Sequence, residues 1–428
     1  MTLKKNYLSA VIAGYHSFSS SHAPAKLRRL GSVAENSFLP LADLEPPRTP
    51  ASNSMRKKPM AAFPGDLFVR DIFELDIAEY SSTSITTHRA RAKQVSTRKV
   101  QFSFFRLAVA AAKSILTNAP QSIDRWKKVR AAFYNLDCIV STNSVPFALC
   151  DGFRREYRDF SKTSRIGELA QAITFILAQD VLKYPVVLDF DGYLASQGIP
   201  ALSTDEQTPD YAMLMKTGST QLSLIESKGS CPDVDVHHPK GPLGEALKQC
   251  GSGNDHIFKT AGYKATNTYG THVRFAESGD GWRTVAAYCD PEDPAANGLM
   301  DPLNAIRYYY SGWLVLGGYY EYAARMARGA LAVSDIESWA PTEYGGQEYL
   351  VPDNPVKQSM FSPFFSFRRP SERPTIPNEW AIDGRLIKAI VDEDLHSVLG
   401  LFSEEAQVQT DSERRVVTFR DLTLCSWA

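Results

Sequence analysis

The run Leu222-Ser223-Leu224-Ile225-Glu226-Ser227-Lys228-Gly229 decides how the chain is read. It is a short aliphatic stretch that ends in an acid and an amine two positions apart. In a strand, alternate side chains share a face, so Glu226 and Lys228 point the same way with Ser227 opposite. Pro209-Asp210 lies upstream, followed by an apolar segment at 211–215 that reads as a second strand. Thr217-Gly218-Ser219 reads as the turn between the two. With Gly218 at the centre of a three-residue loop, Lys216 faces Thr220 and Asp210 falls opposite Glu226. A loop longer or shorter by one residue makes the two acids diagonal neighbours. Facing carboxylates repel, and a divalent cation removes that conflict. Mg²⁺, with Mn²⁺ as a substitute, is satisfied by two carboxylates together with waters and phosphate oxygens. Lys228 on the same face can contact a phosphate oxygen or polarise an attacking water.

The surroundings of this hairpin have the texture of an α/β layer. Upstream, Ile166, Leu169, Ala170, Ile173, Ile176 and Leu177 recur at helical spacing, and Pro185 ends the segment. Val186-Val187-Leu188 then reads as a buried strand. Downstream, residues 243–250 have helical character and are expected to stop at Gly251-Ser252-Gly253. Strands follow near 271–275 and 283–288. Helix, strand, hairpin, helix, strand, strand describes a small mixed sheet flanked by helices. Residues 104–116 predict an alanine-rich helix, 301–326 a long aromatic-rich one, 387–402 a further helix and 415–419 a strand.

Thr208-Pro209-Asp210, together with Leu222 through Glu226-Ser227-Lys228, resembles the signature of the PD-(D/E)xK nuclease superfamily, whose core is the restriction-endonuclease-like fold. The resemblance covers roughly residues 160–290. It implies Asp210 and Glu226 as metal ligands, Lys228 as the catalytic lysine, and phosphodiester hydrolysis in nucleic acid, with DNA favoured over RNA. Many members carry a glutamate on the first core helix, and Glu168, in Arg165-Ile166-Gly167-Glu168-Leu169-Ala170, occupies the matching place. Gln249 resembles a polar position that some members use on the helix after the lysine. A restriction or antiviral-defence role, and a homodimer that cuts both strands, follow by analogy of fold alone.

Other segments carry competing signals. Val187-Leu188-Asp189-Phe190-Asp191-Gly192 looks like the first motif of haloacid-dehalogenase-like phosphatases, with Asp189 as nucleophile. Tyr193 stands where a small hydroxylated residue is usual there, and the hairpin is left without a role. A third reading is a non-catalytic nucleic-acid-binding or assembly protein that keeps the fold. His237-His238 lacks the spacing by which two histidines share a metal. Gly251-Ser252-Gly253 lacks the lysine of a phosphate loop, and no Gly-x-Ser-x-Gly elbow occurs.

Length and composition bound the rest. A chain of 428 residues implies more than one core, and 43% hydrophobic with 22% charged residues fits a globular protein. The formal net charge of −1 excludes a globally basic nucleic-acid coat but permits local patches. Residues 80–123 hold basic residues and no acid. Arg89, Arg91, Lys93, Arg98 and Lys99 are the candidates for following a phosphate backbone, and Arg106, Lys113, Arg125, Lys127, Lys128 and Arg130 extend the run. A solvated charged face is the plain alternative. Six scattered cysteines without a CxxC pair suggest reduced thiols in a cytoplasmic protein. No membrane span is predicted. Lys4, Lys5, Lys26, Arg28 and Arg29 suit an organellar transit peptide, a disordered tail, or a start at Met55 or Met60. The expected organisation is a flexible arm over 1–60 and a basic, largely helical region over 61–150. The nuclease-like core with its long helix spans 151–335, and an α+β region spans 336–428.

Overall fold

The computed structural model describes residues 72–81, 94–115, 136, 138–142, 144–203, 207–235, 239–290, 301–353, 377–403, 410–411 and 416–427. These residues form a mixed α/β protein, all of them within the compact unit Pro59–Ala428. The arm over 1–60, Arg89, Arg91, Lys93, the basic residues at 125–130 and His237-His238 lie outside the described residues.

Strands β1 (Ile72–Ser81), β2 (Gln94–Ser103), β3 (Val186–Asp189), β4 (Tyr211–Leu214), β5 (Ser223–Ser230), β6 (Asn267–Arg274) and β7 (Val285–Asp290) make one sheet in the order β2-β1-β7-β6-β5-β4-β3. The β5–β6 and β1–β7 pairs are parallel and the others antiparallel. The sheet therefore crosses the boundary expected at residue 150. In the described part of 61–150 a β-hairpin is followed by helix α1 (Phe104–Ile115) and then by turns and isolated β-bridges, where a largely helical region was expected. Residues 94–100 are mostly exposed on an edge strand and show no apolar alternation, so nothing in their pattern signals a strand.

Short helix α2 (Phe153–Glu156) leads into α3 (Asp159–Ile176), which lies with α1 on one face of the sheet. Its buried stripe includes Ile166, Leu169, Ala170, Ile173 and Ile176, as the helical spacing predicts. The close approach of α3 to β5 depends on Gly229. A Cβ there would stand 2.8 Å from the Ile166 carbonyl oxygen and 2.9 Å from the Ala170 Cβ. Backbone cannot swing away as a side chain can, so Gly229→Ala is expected to push the helix off the strand. A loss of about 1–3 kcal/mol in urea unfolding is the expected cost, and unchanged stability would contradict this packing.

Helix α4 (Phe190–Ser196) follows β3, and α5 (Lys240–Ala261) covers the other face over β5 and β6. Helix α5 was expected to stop at Gly251-Ser252-Gly253 but runs through them. The propensity cost of glycine, about 1 kcal/mol each, yields here to packing. A Cβ on Gly253 would stand 2.6 Å from the Pro209 ring, so the glycine lets the helix close over the residue that precedes Asp210.

The remaining elements build a second layer. Helices α6 (Pro302–Leu316) and α7 (Tyr320–Ala327) replace the single helix expected over 301–326. Gly317-Gly318 breaks it, with Gly318 in the left-handed region at φ 83°. After α8 (Val333–Ile336) come β8 (Ala340–Tyr344), β9 (Gln347–Val351), β10 (Pro377–Asp383), β11 (Thr410–Asp411), β12 (Val416–Thr418) and β13 (Thr423–Trp427), in the order β11-β12-β13-β10-β9-β8. Helices α9 (Gly384–Val391) and α10 (Leu395–Ser403) stand in place of one helix at 387–402, parted where Glu393 takes φ 59°.

Helix α1 is buried on every side and joins the two layers. Two residues of the basic run, Arg106 and Lys113, therefore sit in the core, 2% and 9% exposed, and belong to no surface track. Arg106 donates to Gln179 and its guanidinium lies 4.9 Å from the Phe419 ring centre. Lys113 rests 3.6 Å from the Tyr309 ring and 4.1 Å from Trp313. Aromatic faces supply part of the solvation that these cations lose on burial. Asp421 in turn accepts bonds from Tyr309, Trp313 and Thr423.

Candidate carboxylate–lysine site

Tyr211 pairs with Ile225, Ala212 with Leu224 and Met213 with Ser223. Carried one position further, that register puts Asp210 beside Glu226, as the hairpin argument predicts. The turn itself differs. Pairing stops at Met213, Lys216 does not face Thr220, and residues 216–218 form a 3₁₀ turn entered through Met215 at φ 68°. A Cβ on Gly218 would lie 2.7 Å from the Leu399 carbonyl oxygen, so the turn is shaped against α10 rather than by hairpin geometry alone. The loop's ends still preserve the register.

The acid and the amine share a face. Lys228 Nζ donates to Glu226 Oε1 at 2.8 Å and to Gln249 Oε1 of α5 at 2.7 Å. Ser227 points to the α3 side, like its cross-strand neighbour Thr271, whose hydroxyl is 2.8 Å from that of Thr174 on α3. Asp210 lies just before β4 begins, where no backbone partner continues the ladder beside Ser227. Its Oδ2 takes that place, accepting from the Ser227 amide at 2.8 Å and the Ser227 hydroxyl at 2.5 Å. Its Oδ1 accepts from Gln171 Nε2 of α3 at 2.7 Å. Three bonds thus fix the Asp210 carboxylate. Ser227 and Gln171 are site residues that sequence reasoning missed. Gln171 was within reach of it, because it stands three residues after Glu168 on the same helical face.

Glu168 remains on α3, with an ion pair to Arg165 at 3.5 Å and a bond from Ser164 at 3.4 Å. The structure thus brings Asp210, Glu226 and Lys228 together with Gln249, while Gln171 rather than Glu168 touches the cluster. Arg98 and Lys99 sit on edge strand β2, four strand spacings from β5, or about 19 Å. Arg98 bonds the Tyr288 hydroxyl and Lys99 pairs with Glu74, both at 2.6 Å. These strand residues are thus tied to partners of their own sheet.

The electrostatics follow from burial. Glu226 is 4% exposed, and burial pushes its pKa up to about 8, with the Asp210 charge adding to the rise and Lys228 opposing it. Asp189, at the end of β3, is pushed up to about 7 by burial, with the Asp191 and Asp210 charges adding to the rise. Its Oδ2 accepts from the Gly192 amide at 2.9 Å and so caps α4. A carboxylate engaged as a helix cap, in a setting that favours its protonated form, is poorly disposed to act as a nucleophile.

Among the described residues no group of three or more His, Cys, Asp and Glu side chains is arranged to hold a metal ion. The donor capacity of the carboxylate pair nevertheless suits one. Glu226 Oε2 is buried with no hydrogen-bond partner, and Asp210 Oδ1 has used one of its two lone pairs. A cation bound there would satisfy the orphaned oxygen and cancel the repulsion from Asp210 that adds to the rise at Glu226. Among the described residues no helix is long and apolar enough to cross a membrane. Comparison with known proteins finds no matching family model, curated protein or solved structure.

Proposed function

We propose that the chain is a divalent-metal-dependent hydrolase of phosphodiester bonds in nucleic acid, with DNA favoured, built on a restriction-endonuclease-like core. The observation that carries the proposal is the approach of Asp210 and Lys228 to the buried Glu226, whose Oε2 is left without a hydrogen-bond partner. The order α3, β3, the β4–β5 hairpin, α5 and β6 supports the core assignment.

In this reading Asp210 and Glu226 hold Mg²⁺ or Mn²⁺, which when bound polarises the phosphate oxygen and lowers the pKa of water. Gln171 and Ser227 keep the Asp210 carboxylate in one orientation. Gln249 and Glu226 hold the Lys228 ammonium, 26% exposed, where it faces solvent and an arriving phosphate. Its charge opposes the negative charge that grows on the phosphate oxygens as water attacks and the P–O bond breaks. Burial of the carboxylates strengthens each of these interactions.

The test is turnover of labelled DNA and RNA oligonucleotides and of supercoiled plasmid in Mg²⁺, Mn²⁺ or EDTA. Cleavage with either ion and none in EDTA is expected. Salt-dependent retention of nucleic acid with no turnover under any divalent ion would replace the proposal with a binding module.

A further inference from the structure

We propose that Arg274 is a second phosphate-binding residue of this site, held in reserve by Asp235; the inference rests on the phosphodiester-hydrolase reading. Strands β5 and β6 are parallel, and Glu226 pairs with Gly270, Lys228 with His272 and Ser230 with Arg274. Paired residues of neighbouring strands share a face, so His272 and Arg274 lie on the face that carries Glu226 and Lys228. The bond between Ser230 Oγ and His272 Nε2, 2.9 Å, bears this out. From strand rise and spacing, the Cα atoms of Lys228 and Arg274 are about 8 Å apart. That separation lets consecutive phosphates of one strand reach both cations.

The setting of Arg274 differs from that of an ordinary structural arginine. It is 6% exposed, yet its Nε is buried with no hydrogen-bond partner. Its guanidinium lies 4.4 Å from the Trp282 ring centre, which holds the plane of the fork. Its charge partner is Asp235, in the loop between β5 and α5, whose side chain is 60% exposed. The other arginine on Trp282, Arg154, is engaged by Asp280 and lies 3.7 Å from Glu277. Arg274 thus combines a fixed plane, an unused donor and a carboxylate that can turn outward into water. A phosphodiester can replace Asp235 and accept from the fork in two parallel bonds, a geometry that a lysine cannot offer.

The test compares wild type, Arg274→Gln and Asp235→Asn with short fluorescein-labelled DNA and RNA oligonucleotides, measuring anisotropy and steady-state cleavage. Arg274→Gln is expected to raise Kd and KM about tenfold or more, as loss of a charge-assisted contact does, with kcat changed much less. Asp235→Asn, at an exposed position, is expected to lower both, because it frees the guanidinium. A purely structural Arg274 would not give opposite shifts from the two variants. Unchanged Kd and KM in both variants, beside an active wild type, would overturn this role and leave the hydrolase reading standing. A wild type that neither binds nor cuts either oligonucleotide overturns both.

Discussion

Lys228→Ala is expected to remove metal-dependent cleavage by about a hundredfold to a thousandfold, the range found when one group that stabilises transition-state charge is deleted. The side chain is partly exposed and its two bonds go to Glu226 and Gln249, so no apolar core is disturbed. Thermal unfolding of the variant should therefore stay close to wild type, which separates loss of chemistry from loss of fold. Lys228→Arg restores the charge but not the point geometry between Glu226 and Gln249, and it is expected to recover little activity. Cleavage at the wild-type rate in Lys228→Ala would remove the lysine from the mechanism.

The second large effect concerns pH and requires no substrate. A carboxyl whose folded pKa lies above its unfolded value is more protonated in the folded state. Stability then falls as pH rises between the two values. For Glu226 that window runs from the usual glutamate range, near 4.5, up to about 8, and for Asp189 from near 3.8 up to about 7. Without divalent ions, stability is expected to decline through pH 5 to 8 and then level off. The total loss is on the order of several kcal/mol, at 1.36 kcal/mol per pKa unit. Mg²⁺ binds the ionised pair, so it should raise Tm more at pH 8.5 than at pH 5. Glu226→Gln should flatten much of the decline. A Tm in EDTA that does not change from pH 5 to 8, or that rises, would contradict the raised carboxyls. The predicted decline places the site among those that give up stability for function.

Much of the site's geometry was legible in the sequence, because strand alternation and hairpin register are strict. Glu226 and Lys228 had to share a face, and Asp210 reached its place beside Glu226 although the turn was read wrongly. An error in loop shape leaves register intact when the two ends compensate. Helix ends were less legible. Gly251 and Gly253 read as a stop, but the space against Pro209 requires a glycine inside α5. The basic run misled for a similar reason. Charge counted along a sequence is blind to three-dimensional burial, and Arg106 and Lys113 lie among aromatic rings supplied by distant segments. Ser227 gave little local signal, whereas Gln171 could have been found from its place on the helical face of Glu168. Ser227 matters because, just before β4 begins, the Asp210 carboxylate takes over from the backbone ladder.

The central claim is that Asp210 and Glu226 together hold one divalent cation. Titration calorimetry of Mn²⁺ into the metal-free protein at pH 8.5, where Glu226 is largely ionised, tests it most directly. One ion per chain in the wild type, lost in Asp210→Asn with the fold retained, is the predicted result. Equal Mn²⁺ binding by Asp210→Asn, or none by the wild type, would contradict it.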